Sequence, residues 1–414
     1  MTEPGGSDAQ VVVVGGGHAG TALVGLLRQQ GHRGPITLFG DEVDYPYHRP
    51  PLSKKFADGQ LEQWLRPPEF YRDQDIAVRL GEQITRIDRP GRRLHTASGE
   101  TCGYDYLVLA TGARPRTIPV PGADLAGVLA LRTLADARLL RKCVAEGRTL
   151  VIVGGGYIGL EVAAVARANG VAVTIVERES RVLARLGSPR LSEILTEHHR
   201  GHDVDIVTDA QVVRLDGRDN EVRRAVLDDG TSLDCGAVLV AVGAVPRDEL
   251  AAAAGLRCAK GIVVDQRTRT SDPHILAIGD ATRRPVTLTN AVMRLESIPS
   301  ATEQAGQAAA VITGRAEPTP EVPWFWSDQY DLRLKIAGLV PGNPVTVTRG
   351  DPASGRFALF HLDSARQGGA VAAVESANSA ADFMAGKKLI GAARSVDPDR
   401  LADPSIPLRD IVAP

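Results

Sequence analysis

Val11-Val12-Val13-Val14-Gly15-Gly16-Gly17-His18-Ala19-Gly20, running on into a helix-compatible stretch through Gln30, decides how this chain is read. Four β-branched residues in a row present no polar face, so they read as a strand buried on both sides. The glycines turn the backbone tightly, and the helix that follows begins with unsatisfied N–H groups and the positive end of its dipole exposed. A pyrophosphate fits there. One such G-x-G-x-x-G string is weak by itself, because small glycine-rich turns are common.

A second copy removes that weakness. Leu150-Val151-Ile152-Val153 reads as a strand, Gly154-Gly155-Gly156-Tyr157-Ile158-Gly159 repeats the fingerprint, and Leu160 to Asn169 reads as the helix, capped by Gly170. An acidic residue follows each copy, about twenty positions on, at the end of the next strand: Asp41 after Pro35–Phe39, and Glu177 after Val171–Val176. That is where an adenosine ribose is held. Each copy also leads to a buried strand ending in a glycine turn, Ala110-Thr111-Gly112 and Ala241-Val242-Gly243. The fingerprints start at Gly15 and Gly154, 139 residues apart, so the duplication is on the scale of a domain. The chain should bind two dinucleotides.

Composition is compatible with this and excludes other classes. The chain has 414 residues, 43% of them hydrophobic, with a formal net charge of −2, enough for two or three domains with their own cores. There is no basic excess of the kind that binds nucleic acid. No apolar run approaches the roughly eighteen residues of a membrane helix. Met1 to Gln10 is polar and lacks the charged-then-apolar layout of a signal peptide, so it reads as a frayed start. Cys102, Cys143, Cys235 and Cys258 are scattered with no C-x-x-C pair, which reads as reduced thiols in a cytoplasmic protein.

Between the copies, Tyr45 to Lys55 holds three prolines, Pro46, Pro50 and Pro51, within six residues. They are expected to forbid a regular element and to leave a stiff loop carrying Lys54. Arg114 to Pro121 reads as a hinge. After the second copy, Thr270 to Asp280 reads as a turn and a short buried strand with Asp280 at its C-terminal end, the edge where open α/β sheets place ligands. A helix is expected from about Ser300 to Thr313. Trp324-Phe325-Trp326 then opens a region of strand-like segments, Leu332–Leu339, Pro344–Arg349, Phe357–His361 and Gly369–Val374, which suggests a mixed C-terminal domain.

Taken together these segments resemble the two-dinucleotide flavoprotein reductases, most closely the NADH-dependent ferredoxin reductases of bacterial oxygenase systems, of the putidaredoxin reductase type. The resemblance runs from Val11 to about Ile411. It rests on His48-Arg49-Pro50-Pro51-Leu52-Ser53-Lys54, Gly154 to Glu161, Ala277 to Asp280, Arg294-Leu295-Glu296-Ser297-Ile298-Pro299 and Trp324-Phe325-Trp326-Ser327-Asp328-Gln329. The implied fold is α/β, with two Rossmann-like dinucleotide-binding domains plus an α+β C-terminal domain. Residues 1–117 and 246–322 would bind FAD, 118–245 NAD, and 323–414 would form the last domain.

By the same resemblance, Gly15, Gly17, His18, Ala19, Gly20 and Asp41 would hold the FAD pyrophosphate and adenosine ribose. Lys54, Ile84 and Arg132 would line the FAD site, with Asp280 on the ribityl chain and Ile298 near the flavin ring. Arg49, Pro51, Ala110, Thr111, Gly112, Gly279, Ser297 and Trp326 are counted with them. Gly154, Gly156, Tyr157, Ile158, Gly159, Glu161, Glu177 and Gly243 would bind NADH. His18 stands where relatives often carry an apolar residue. It is read as facing solvent at the helix start, the alternative being a donor to the pyrophosphate.

The chemistry follows from the residues. A nicotinamide gives up two electrons as hydride and a ferredoxin accepts one at a time; FAD serves both, and the protein aligns and tunes it. Lys54 is the candidate tuning cation, with Glu161, at the start of the second fingerprint helix, as its partner. Lysine is scarce here, seven among 48 basic residues, so Lys54 is not read as an incidental surface charge. Glu177 accepts from both ribose hydroxyls and repels a 2′-phosphate, favouring NADH, although Arg178 beside it could tolerate one. The missing cysteine pair argues against a disulfide reductase and for an external electron acceptor. A [2Fe–2S] ferredoxin is acidic, and the resemblance puts its docking site at Arg66, Lys335, Lys387 and Arg409; Trp326 either shields the flavin, lies on the exit route, or is plain packing. From residue 323 on, ten basic and ten acidic residues make no patch visible in the sequence. The reading is an FAD-containing NADH:ferredoxin reductase feeding a haem-thiolate monooxygenase or related oxygenase, expected to be a monomer. The alternatives are a rubredoxin or dioxygenase-system reductase, and a non-turnover flavoprotein like the apoptosis-inducing factor.

Overall fold

The computed structural model describes residues 8–57, 59–286, 291–363 and 369–411. Most of the polar start, through Ser7, lies outside them. The chain folds into two compact units: one of residues up to His48, Glu62–Arg114 and Val245–Pro323, the other of Arg49–Leu61, Pro115–Ala244 and the residues from Trp324 on.

In the first unit, five parallel strands stand in the order Ile275–Ala277, Tyr106–Leu109, Val11–Val14, Ile36–Phe39, Ile76–Arg79. The fingerprint strand is central, and all four of its valines are buried, as a strand covered on both faces requires. One face is covered by the helices His18–Gln29 and Ile298–Thr313. Leu23, Val24 and Leu27 of the first meet Ala301, Ala305, Ala308 and Ala309 of the second. The small side chains of the second helix let the two backbones approach closely. It starts at a Ser297 cap, whose hydroxyl accepts the Ser300 N–H at 3.3 Å, and stops at Gly314 in the left-handed region, φ 69°. A separate antiparallel sheet, Ile84–Asp88, Arg93–Thr96, Thr101–Gly103, is inserted along the chain between the strands Ile76–Arg79 and Tyr106–Leu109.

The second unit repeats the plan. Five parallel strands stand in the order Val204–Val207, Val173–Val176, Leu150–Val153, Ala237–Val240, Val128–Leu129, again with the fingerprint strand central. The same unit contains a five-stranded antiparallel sheet, Trp324–Gln329, Leu332–Gly338, Ala370–Ala377, Arg356–Asp363, Val345–Asp351. The helix Ala380–Ala392 packs on that sheet so closely that a Cβ on Gly386 would stand 2.8 Å from the Val374 side chain.

Two expectations are corrected. The proline-rich stretch is not without regular structure: Pro51–Lys54 is a one-turn helix. Proline is tolerated in a first helical turn because its missing N–H is an orphan there and its φ is already helical. The second fingerprint helix runs Tyr157–Ala168, so Glu161 is its fifth residue and does not begin it. Among the described residues no helix is long and apolar enough to cross a membrane.

Candidate functional site

The first glycine cradle is built by close approach. Gly15 has φ 118°, and a Cβ there would stand 2.1 Å from the Ala110 carbonyl oxygen; a Cβ on Gly20 would stand 2.1 Å from the oxygen of Gly15. Strand, loop and helix are thus pressed together where no side chain fits. In front of the helix the opposite holds: a Cβ on Gly17 would meet nothing within 4 Å, and no side chain caps the helix there. A dipole end without a cap, facing open space, suits a phosphate, so these residues fit a dinucleotide.

Of the other residues expected around this cradle, those in the same unit lie at strand ends, in turns and at a helix start. Asp41 is paired with Arg247, Nη1 to Oδ2 at 2.5 Å. Arg247 is also tied to the glycine turn, its N–H donating to the Gly112 oxygen at 2.9 Å and its carbonyl accepting the Thr111 hydroxyl at 2.6 Å. Gly279, φ 78°, and Asp280 form a single 3-10 turn after the strand Ile275–Ala277. The Gly279 N–H donates to Gln304 at 3.1 Å, and a Cβ on Gly279 would come within 3.1 Å of Ala19. Ser297 and Ile298 open the alanine-rich helix. Ile84 belongs to the core cluster with Val12, Val14 and Phe39. His18 is not simply solvent-facing: it is half-buried and stands edge-on to His48, ring centroids 5.5 Å apart.

The second cradle repeats the construction. Gly154 has φ 111°, with the Ala241 oxygen 2.6 Å from a would-be Cβ, and a Cβ on Gly159 would stand 2.3 Å from the oxygen of Gly154. Space in front of Gly156 and Gly243 is open, and Ile158 is half exposed at the helix start. Glu177 is held by the loop itself: Oε2 accepts the Gly155 N–H at 2.7 Å and Oε1 the Glu179 N–H at 2.9 Å. Arg178 turns to Glu179 at 2.9 Å. The Tyr157 hydroxyl is buried without a hydrogen-bond partner, with the ring edge-on to Phe325 at 5.0 Å. Burial, followed by the nearby Glu375 and Glu161, pushes its pKa well above the usual phenol value.

Five residues expected at the flavin site, Arg49, Pro51, Lys54, Arg132 and Trp326, belong to the second unit. Lys54 Nζ stands 2.5 Å from Glu161 Oε1, with both side chains largely buried. These are not two unrelated surface charges. Glu161, 3% exposed, also accepts the Ser53 hydroxyl on Oε2 at 2.5 Å and the Ser327 hydroxyl on Oε1 at 2.6 Å. Three donors satisfy a carboxylate that would otherwise be costly to bury. Arg49 donates to the Arg132 carbonyl at 2.5 Å, and the Arg132 N–H donates to Asp136 at 2.9 Å. Pro51 is buried at the start of the one-turn helix. Ser53, Ser327 and Arg247 were not singled out in the sequence; the serines sit inside strings that were, but nothing local marks them as ligands of Glu161.

The residues expected to dock a partner are distributed. Lys387 lies over the Trp324 ring at 5.2 Å and Lys335 over Phe383 at 5.6 Å, while Trp324 and Phe383 are themselves 5.7 Å apart. The two lysines therefore flank one aromatic pair. Trp326 is half-buried beside Trp324, 5.9 Å away. Arg409 is exposed next to Asp410 at 3.7 Å. Arg66 stacks on Phe70 at 5.1 Å and lies in the first unit.

The chain is similar to known proteins over nearly its whole length. The pyridine nucleotide-disulphide oxidoreductase family matches residues 9–305, and the reductase C-terminal family residues 324–412. A protein described as probable ferredoxin reductase CtmF, from Castellaniella defragrans, is 42% identical over 406 residues, 97% of this chain and 98% of its own. Putidaredoxin reductase CamA of Pseudomonas putida is 40% identical over 411 residues, 97% of this chain and 96% of its own. Among solved structures, the covalent putidaredoxin reductase–putidaredoxin complex matches with a TM-score of 0.94 at 39% identity, covering 98% of each chain. All four cysteines are free, so the family's name does not describe a disulfide in this protein. With both fingerprints, the buried Lys54–Glu161 pair and the C-terminal sheet in place, the chain belongs to the pyridine nucleotide-disulphide oxidoreductase family, in the form that carries a reductase C-terminal domain.

Proposed function

We propose that the chain is an FAD-containing NADH:ferredoxin reductase that passes electrons singly to a [2Fe–2S] ferredoxin serving a haem-thiolate monooxygenase or a related oxygenase. The observation that carries this is the pairing of two uncapped glycine cradles with one buried lysine–carboxylate pair and no cysteine pair. FAD, when bound, converts the two-electron donation of NADH into single-electron steps. On this reading residues 1–117 and 246–322 hold FAD, residues 118–245 hold NADH, and residues 323–414 complete the second unit.

The residues divide the work. Gly15, Gly17 and Gly20 let the FAD pyrophosphate reach the helix His18–Gln29, with Asp41 at the adenosine ribose. The glycines of the second loop do the same for NADH, and Glu177 accepts from its ribose hydroxyls. Because both Glu177 oxygens are already oriented by backbone N–H groups, its charge is fixed against a 2′-phosphate, which favours NADH over NADPH. Lys54 supplies a fixed cation that favours negative charge on the bound ring, and Glu161 holds Lys54 in place. The stack of Lys335, Phe383, Trp324 and Lys387 offers two cations to an acidic partner, and the covalent reductase–putidaredoxin complex among the similar structures supports a ferredoxin as that partner. The protein works as a monomer in the cytoplasm, where free thiols persist.

The test is direct. Purified protein is mixed with NADH and a [2Fe–2S] ferredoxin, and cytochrome c reduction is followed. Reduction should rise with added ferredoxin. Bleaching of the flavin by NADH without that rise would overturn the electron-transfer assignment.

A further inference from the structure

Two fully buried polar residues of the string Trp324–Gln329 have no part in the function just described. Ser327 and Gln329 alternate along the first strand of the C-terminal sheet, and both are 0% exposed. A buried hydroxyl and a buried amide are costly unless each has a partner, so their partners indicate what they serve. Ser327 donates to Glu161 Oε1 at 2.6 Å, the same oxygen that receives Lys54 at 2.5 Å. Gln329 Nε2 donates to the Ser327 oxygen at 3.2 Å. Gln329 Oε1 lies 2.9 Å from His199 Nε2.

The direction of this chain is forced. The Gln329 amide nitrogen is spent on Ser327, so its oxygen must accept, and His199 must carry a proton on Nε2. Ser327 receives from Gln329 and has one proton left, which goes to Glu161. Every donor therefore points toward the carboxylate, and each bond polarises the next. His199 is 0% exposed, and burial drops its pKa to about 4, so it enters as a neutral ring that adds no competing charge.

We infer that Ser327, oriented by Gln329 and His199, is a positioning residue that fixes the Glu161 carboxylate and through it the Lys54 ammonium. This rests on the assignment of Lys54 as the cation that tunes the flavin. Two donors converging on Oε1 set the rotamer of Glu161; with Ser327 gone, Oε1 keeps only Lys54 and Oε2 only Ser53, both from the helix Pro51–Lys54, so the carboxylate loses the one donor that holds it from another segment. The C-terminal sheet thereby has a purpose besides docking, since one of its hydroxyls completes the pair.

Three measurements are made on flavin-loaded protein: the rate of flavin reduction by NADH, the midpoint potential of the flavin, and thermal unfolding. Ser327→Ala should slow reduction roughly tenfold, the size of one hydrogen bond to a charged group, and move the potential to more negative values. Ser327→Thr, which keeps the hydroxyl, should restore both. In a Lys54→Met background, Ser327→Ala should change neither rate nor potential, because the group it acts through is gone. Gln329→Leu serves as an independent variant and should show a smaller effect of the same sign. Unchanged rate and potential in well-folded Ser327→Ala, or an equal effect in the Lys54→Met background, would overturn the inference. If Lys54→Met itself reduces normally, the assignment of Lys54 fails instead, and the two failures are told apart.

Discussion

The two fingerprint regions share one backbone plan and diverge most in chemistry at one position of the helix. Both turn at a glycine of φ above 110°, both press two backbones together where no Cβ fits, and both lead into a helix of 12 residues. Aligned glycine to glycine, Ala22 of the first helix corresponds to Glu161 of the second. The first is an ordinary half-buried alanine; the second is a buried carboxylate with three donors. The acidic residues diverge as well. Asp41 is held from outside by the Arg247 side chain, whereas Glu177 is held by the backbone of its own loop. The shared parts make a phosphate cradle, and the chemistry specific to this protein is added where the copies differ.

The strongest break of this comparison is to fill each cradle separately. Gly15→Ala places a Cβ 2.1 Å from the Ala110 oxygen at a φ that side chains rarely adopt, so the purified protein should carry no flavin in its visible spectrum. Gly154→Ala does the same against Ala241 and should leave the flavin bound while NADH no longer bleaches it. If both variants lost flavin, the loops would not serve different cofactors.

Next is the position where the copies differ. Lys54→Met leaves Glu161 as a buried charge without its cation, which should cost about 3–5 kcal/mol of stability and slow flavin reduction by roughly a hundredfold. Adding Glu161→Gln should recover much of the melting temperature but not the rate. Recovery of both would reduce the pair to a packing feature.

The buried ring behind Glu161 sharpens the contrast through pH. Burial holds the His199 pKa at about 4 against 6.5, with the Gln329 hydrogen bond opposing and His198 and His202 adding to the lowering. A ring kept neutral in the folded state contributes stability that is present above pH 6.5 and is lost as pH falls from 6.5 toward 4, where the unfolded chain takes up the proton first. The loss should reach about 3 kcal/mol by pH 4. Denaturant midpoints measured over that range should fall less steeply in His199→Gln; parallel curves would remove His199 as the cause.

The smallest effect belongs to the two acids. Glu177→Ala should raise use of NADPH relative to NADH by roughly tenfold, read from flavin reduction by each nucleotide. Asp41→Asn should leave that ratio unchanged and act only on flavin retention, so a shift of the ratio by Asp41→Asn would erase the distinction between the sites.

What could be read without the structure was local. Four valines before three glycines, the repeat at Gly154, the acids at strand ends and the alanine helix each depend on neighbours within a few residues, where φ requirements and periodicity act. Even there two details differ in the structure: a first helical turn accepts Pro51, with Pro50 just before it, and Glu161 lies one turn into its helix. The pairing of Lys54 with Glu161 is legible as a candidate from the residues with support from the resemblance, whereas the rest of that cluster is not legible at all. Lys54 and Ser327 meet Glu161 across 107 and 166 residues of chain, and no pattern in a single sequence says which distant serine satisfies which buried carboxylate. The sequence by itself determined two phosphate cradles and their order. The tertiary structure alone decided that the second cradle's helix would bury a charge, because only folding brings two distant segments, Ser53–Lys54 and Ser327, close enough to supply its donors.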